Sequence, residues 1–282
     1  MKKAVQQLML GKLIRDEEQA ARMLEQIAFA GYDGIELNAY MIRRTSLFVR
    51  VLTAAAGMPA GRGGAFDWAA LTRGARLSVT GLHVDLGTLQ RNLDAAARMA
   101  KELGTDRLIL TGLYRFDYTD SIALGRLCED LNRLGTLLSI DRIALLYHNH
   151  NVELCRLRDT GERAYAFLLR NTDRDAVNFE FDSYWFADGG ADVAAWMEQL
   201  GQRMRCWHIN DRGARQKGVP LTPIVKEDAM ELGYGNLPLE RWAEIAKANG
   251  ADTAVLETHR NHIDGDPWKS IQRSAAFLNS MF

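Results

Sequence analysis

Four short apolar runs in the second half of the chain each end in side chains that bind metals or move protons. They are IALLYHNH with His148 and His150, VNFEFD with Asp182, MRCWHIND with His208 and Asp211, and TAVLETH with Glu257 and His259. A buried strand is built from Val, Leu, Ile and Phe, so an acid or imidazole at its end calls for a reason. When four successive runs end this way, the simplest reason is that the ends meet at one place. Carboxylate oxygens and imidazole nitrogens are the donors of a divalent-metal site. Taken singly, Asp182 reads more readily as a helix cap and His208 as a structural histidine. With Glu257 on a third run, the metal reading prevails.

His148 and His150 are two apart, so on a strand they point to one side. Among packing helices two imidazoles would need partners, which favours the interior of a sheet or barrel. Glu153, just beyond, reads as a solvated glutamate or as a further site carboxylate. In the first half, Glu36 (GYDGIELN) and His83 (VTGLHVD) also close apolar runs. Each reads equally as a rim or cap residue and as a substrate contact. Trp185, Trp207 and Trp268 lie near strand ends, where an indole can wall a sugar ring, although most tryptophans simply pack. The loop cations Arg212, Arg215 and Lys217 could hold a phosphate or carboxylate, and a solvated loop is the plainer account.

Such ends need elements to carry them. Strand patterns fall at 4–10, 34–38, 77–84, 107–111, 143–148, 177–182, 204–209 and 253–257. Helical periodicity fills 16–30, 86–103, 119–138, 161–171, 190–201, 238–249 and 267–281. In 86–103, Leu89, Leu93, Ala96, Ala97, Ala100 and Leu103 share a face, and Gly104 makes a natural stop. Short, apolar strands alternating with helices predict an α/β fold with a parallel sheet buried on both faces. Eight strands favour a closed (β/α)8 TIM barrel, one domain over 1–282, whose active site sits where the strands end. No GxGxxG follows the first strand and no phosphate-loop signature occurs. The Gly-rich GMPAGRGGAF (57–66) follows no strand and reads as a flexible excursion in a long insertion near 40–76. A second long loop spans 211–236.

With 282 residues and 47% hydrophobic content the chain can bury a sizeable core, and a net charge of −1 offers no basic stripe for nucleic acid. Cys128, Cys155 and Cys206 are scattered, as expected of reduced thiols. No apolar run reaches the roughly 18 residues of a membrane span. The expectation is a soluble, cytoplasmic protein with no membrane partner, and a homo-oligomer is compatible with it.

The segments GYDGIELN (31–38), GLHVDLGTLQRNLDAAARMAKELGTDRLIL (81–110), LLYHNHNVEL (145–154), FDSYWFADGGAD (181–192), HINDRG (208–213) and LGYGNLPLERW (232–242) resemble, in order and spacing, the sugar phosphate isomerase/epimerase family of xylose-isomerase-like barrels. The resemblance spans essentially the whole chain and fixes architecture better than reaction. It implies a metal held by a Glu, an Asp, a His and a Glu after strands five to eight. Asp182, His208 and Glu257 match the last three. His148 stands where many relatives carry the first Glu, so His148 would ligate in its place, or Glu153 would fold back to do so. His150 matches a substrate-contacting histidine.

The implied chemistry is proton abstraction beside a carbonyl, giving an enediolate. Glu257 would be the base, and His150 or Glu153 the opposing acid–base group. Glu36, His83, Trp185 and Arg215 would line the substrate. One divalent ion per chain is expected, Mn²⁺ first, with Zn²⁺ and Co²⁺ as alternatives. The substrate would be a small sugar or polyol. The leading expectation is a sugar isomerase or epimerase acting on a keto-sugar. The alternatives are a lyase or dehydratase on the same site, a nucleic-acid enzyme like endonuclease IV, and a barrel that binds sugar without catalysis.

Overall fold

The computed structural model describes residues 1–11, 13–43, 66–216, 218–219 and 221–282. Most of the 57–66 segment and Lys217 lie outside them. Eight parallel strands close into a barrel. They are β1 (Lys2–Gln6), β2 (Gly34–Asn38), β3 (Ser78–Val84), β4 (Arg107–Leu110), β5 (Ala144–His148), β6 (Val177–Asp182), β7 (Met204–Ile209) and β10 (Thr253–Leu256), in the order β1-β10-β7-β6-β5-β4-β3-β2. Helices connect the strands, as the alternating pattern predicts. No helix among the described residues is long and apolar enough to cross a membrane.

Three local details differ from the sequence reading. The first strand stops at Gln6, because the Gln6 side-chain oxygen accepts from Leu8 N–H and turns Gln7–Leu10 into a 3-10 turn. The helix expected over 86–103 is two, Leu86–Arg91 and Leu93–Leu103, broken where Asn92 takes φ −145°. Asp85 caps the first piece, and Gly104 ends the second in the left-handed region at φ 75°. The 211–236 loop carries an antiparallel hairpin, β8 (Asp211–Ala214) with β9 (Glu227–Met230).

Within the barrel order the chain forms two compact units. One comprises Met1–Val79, His208–Glu244 and Thr253–Phe282, the other Thr80–Trp207 and Ile245–Asp252. In the first, β1 pairs with both β10 and β2, and Gln6 stands opposite Glu36. Its first helix, Glu17–Phe29, is capped by Asp16 and buries Ala20, Leu24 and Ile27 on one face.

In the second unit β3, β4, β5 and β6 run side by side, with His148 opposite Glu180 and Tyr147 opposite Phe179. The alternation along VNFEFD decides what each face of β6 does. Phe179 and Phe181 join Tyr165, and Phe181 meets Phe186 edge-on at 5.1 Å, while Trp196 packs on both Tyr165 and Phe186. The buried rings of Tyr165, Phe179, Phe181 and Phe186 each contribute on the order of 1.5–3 kcal/mol through their apolar area. That aromatic layer anchors one face of the strand, and Glu180 and Asp182 stand on the other.

Candidate active site

The second unit gathers His83, His148, Glu180 and Asp182, all buried. Glu180 is 0% exposed, and its Oε2 lies 2.9 Å from His148 Nδ1 and 3.1 Å from His83 Nε2. Register explains the first contact, since Glu180 stands directly across the β5–β6 ladder from His148. His148 Nε2 lies 4.0 Å from Asp182 Oδ2. Asp182 is also the helix cap that its position suggested: its Oδ1 accepts from Trp185 N–H at 2.9 Å. Asn149 secures the same strand end, donating to Asp182 O and accepting from Asp182 N–H, both at 3.0 Å. One carboxylate thus starts a helix and keeps its second oxygen toward an imidazole.

His150 is half-buried beside His148, ring edge to ring face at 4.9 Å, and lies 5.9 Å from the tilted Trp185 ring. Gly112 borders it so closely that a Cβ there would stand 2.8 Å from His150 Nδ1. Trp207, by contrast, is wholly buried and donates its indole N–H to Ser183, which makes it a packing residue.

Glu153 does not fold back toward His148 as a substitute ligand. It is buried, accepting from the Tyr147 hydroxyl at 2.7 Å and from His150 N–H at 2.9 Å. Tyr147 alternates with His148 and so lies on the opposite face of β5, where its hydroxyl also meets that of Tyr118 at 3.0 Å. Burial pushes the Glu153 carboxyl above its ordinary range, and the bonds from Tyr147 and His150 only partly offset this. Oε2 thus holds the His150 backbone and Oε1 the Tyr147 hydroxyl, so Glu153 is not the solvated glutamate that its loop position suggested.

In the first unit, His208 is bracketed by two buried carboxylates: Nε2 lies 2.8 Å from Glu36 Oε1 and Nδ1 lies 3.1 Å from Glu257 Oε2. Glu36 also accepts from Gln6 Nε2 at 3.3 Å, its neighbour across the β1–β2 ladder. Glu257 follows the last residue of β10 and has His259 Nε2 at 3.6 Å from Oε2. Burial alone would push the Glu257 carboxyl up, but His259 and His208 outweigh it and hold the group well below the usual carboxylate range. Glu257 is therefore ionised at neutral pH.

Two loop residues have other tasks. Asp211 is a clamp: its carboxylate accepts from the backbone N–H groups of Arg212, Gly233, Gly235 and Leu237. Only glycine fits at 235, because a Cβ would come within 2.2 Å of Asp211 Oδ1. Arg215 pairs with buried Glu231 and borders a cavity of about 300 Å³ with Gln216, Gly218, Val219, Ile224, Val225 and Lys226.

Each unit thus places an imidazole between two buried carboxylates, Glu36–His208–Glu257 in one and Glu180–His148–Asp182 in the other. Sequence reasoning missed Glu180, although its spacing of two from Asp182 on an alternating strand was a usable signal. Such a buried cluster of His, Glu and Asp is a donor set that can hold a metal ion.

No curated protein matches the sequence. Among solved structures, a sugar phosphate isomerase/epimerase from Parabacteroides distasonis is similar with a TM-score of 0.76 at 22% identity, covering 99% of this chain and 94% of that one. D-allulose 3-epimerase from Methylomonas sp., in complex with D-allulose, gives 0.68 at 15%, covering 100% and 97%. The IOLI protein with a bound zinc atom gives 0.68 at 15%, covering 100% and 98%. At these identities the likeness concerns the fold. A family model described as the xylose isomerase-like TIM barrel matches residues 24–281, and the chain belongs to that family.

Proposed function

We propose that the protein is a divalent-metal-dependent isomerase or epimerase of a keto-sugar or a close derivative. The observation that carries this reading is the pairing of two buried carboxylates with one imidazole in the first unit, Glu36 and Glu257 about His208. Burying carboxylates is costly unless their charge is compensated; Glu36 and Glu257 share His208, with His259 beside Glu257, so negative charge is in excess unless both imidazoles are protonated. A divalent cation fits that excess and the oxygen and nitrogen donors alike. His148, Asp182, His208 and Glu257 would hold the ion, with Mn²⁺ as first choice and Zn²⁺ or Co²⁺ as alternatives. The zinc in the IOLI protein and the D-allulose in the Methylomonas epimerase support a metal and a sugar for this fold.

When bound, the ion would polarise the substrate carbonyl and offset the negative charge that develops there. Glu257, kept ionised by His259 and His208, removes the proton beside the carbonyl. His150 contacts the substrate, with Trp185 beside it as an apolar wall for the sugar ring. Imidazole is a capable acid near neutral pH. From His150 a proton returned to carbon completes an epimerisation, and a proton given to a departing oxygen completes a β-elimination. Glu36 and His83, which meet His208 and Glu180, and Arg215 from the 211–236 loop would line the substrate.

The test is elemental analysis of the purified and Mn²⁺-loaded protein, followed by NMR of keto-sugars in D₂O. About one ion per chain, with deuterium entering beside the carbonyl, is the expected result. Loss of water or of an aglycone in place of exchange would move the reaction to the lyase class. A protein that takes up none of Mn²⁺, Zn²⁺ or Co²⁺ would overturn the metal reading.

A further inference from the structure

We infer that Glu180 is the positioning residue for His148: it holds the imidazole as the tautomer protonated on Nδ1 and so presents the Nε2 lone pair on the side of Asp182. The inference rests on the proposed metal role of His148 for its purpose, but not for its geometry. His148 Nδ1 and His83 Nε2 both meet the same oxygen, Glu180 Oε2, at 2.9 and 3.1 Å, and an oxygen approached by two nitrogens at these distances is placed to accept from them, which points to protons on both. With Nδ1 protonated, a neutral His148 ring has its lone pair on Nε2. That nitrogen faces Asp182 Oδ2 at 4.0 Å, beyond hydrogen-bond reach.

The ring has little freedom to turn. His83 meets it edge-on at 5.5 Å and His150 at 4.9 Å on another side. Glu180 itself is fixed by its strand, whose opposite face is anchored by Phe179 and Phe181 in the aromatic layer. His83 Nε2 approaches the same oxygen at 3.1 Å and so holds the Glu180 side chain from a second side. A carboxylate behind a ligating imidazole also makes its far nitrogen a stronger donor, as outer partners of metal-bound histidines do. Glu180 would thereby lend negative charge to a position whose own side chain has none, without touching the ion.

The decisive measurement is the tautomer of His148 in metal-free protein labelled with ¹⁵N-histidine, read from long-range ¹H–¹⁵N correlations and assigned by the loss of signals in His148→Gln. The expected pattern is a protonated Nδ1 and a bare Nε2. In Glu180→Gln, which keeps the volume, the pattern should shift toward protonated Nε2, and Mn²⁺ should bind about 10–100-fold more weakly. Protonated Nε2 in the unaltered protein would overturn the inference, and that reading needs no variant to fold. Equal Mn²⁺ affinity in Glu180→Gln would overturn it too, while leaving the metal reading intact. Failure of the unaltered protein to bind any ion, with Nδ1 protonated as expected, would sink the metal reading and uphold the Glu180–His148 pair.

Discussion

Two histidines in this barrel are each set between carboxylates, and the two settings are not equivalent. His208 has both nitrogens within hydrogen-bond distance of an acid, 2.8 Å to Glu36 and 3.1 Å to Glu257. His148 has one close partner, Glu180 at 2.9 Å, and faces Asp182 across 4.0 Å. The flanking acids differ as well. Asp182 spends one oxygen as a helix cap and is tied to Asn149 through its backbone. Glu257 lies just past β10, and its Oε2 meets two imidazoles, one of them on the exposed His259. A group locked into secondary structure suits a ligand. A group kept ionised at a strand end suits a base.

The largest test of that contrast sets Glu257→Gln against Asp182→Asn. Glu257→Gln should slow deuterium incorporation beside the substrate carbonyl by about 10²–10⁴-fold, the usual weight of a general base. Asp182→Asn should keep the fold, because Asn caps helices as well as Asp, and should show its loss mainly as weakened Mn²⁺ binding. Equal exchange rates in Glu257→Gln and the unaltered protein would remove the base from its assigned place.

A smaller effect separates the two imidazoles in metal-free protein. Removing one partner of a buried ionic pair costs about 3–5 kcal/mol, and His208→Ala should approach that, since it strips the shared partner of both Glu36 and Glu257. His148→Ala should cost less, because it takes a hydrogen-bonding imidazole from one carboxylate, Glu180, where His208→Ala takes one from two. Urea unfolding of the two variants with a chelator present measures the difference, and equal losses would break the comparison.

The smallest effect lies behind His150. Tyr147→Phe withdraws the hydroxyl from buried Glu153 and should cost about 1–3 kcal/mol in the same urea assay. Mn²⁺ affinity should not change. A variant that loses the ion would place Glu153 in the donor set after all.

Much of the scaffold was readable from pattern alone. Alternating apolar runs and helical stretches predict eight parallel strands, and the observed barrel has them in that order. Boundaries were less legible where a single side chain intervened. Gln6 ends β1 by capping the turn after it, and Asn92 splits a helix whose apolar periodicity runs on unbroken. The β8–β9 hairpin was hidden because a buried carboxylate, Asp211, organises its return through backbone N–H groups more than 20 residues away.

The sequence by itself determined which strand ends carry donors, because residue type and a period of two are local properties. Asp182, His208 and Glu257 were visible as acids and an imidazole where apolar residues would suffice. Only the tertiary structure decided which side chain each donor meets. Glu180 and Glu153 are both buried glutamates close in the chain to a candidate donor, yet one backs His148 and the other lies behind the strand with Tyr147. Their roles follow from the β5–β6 register and from the face on which each side chain emerges. Both are set by packing and ladder hydrogen bonds between segments some 30 residues apart.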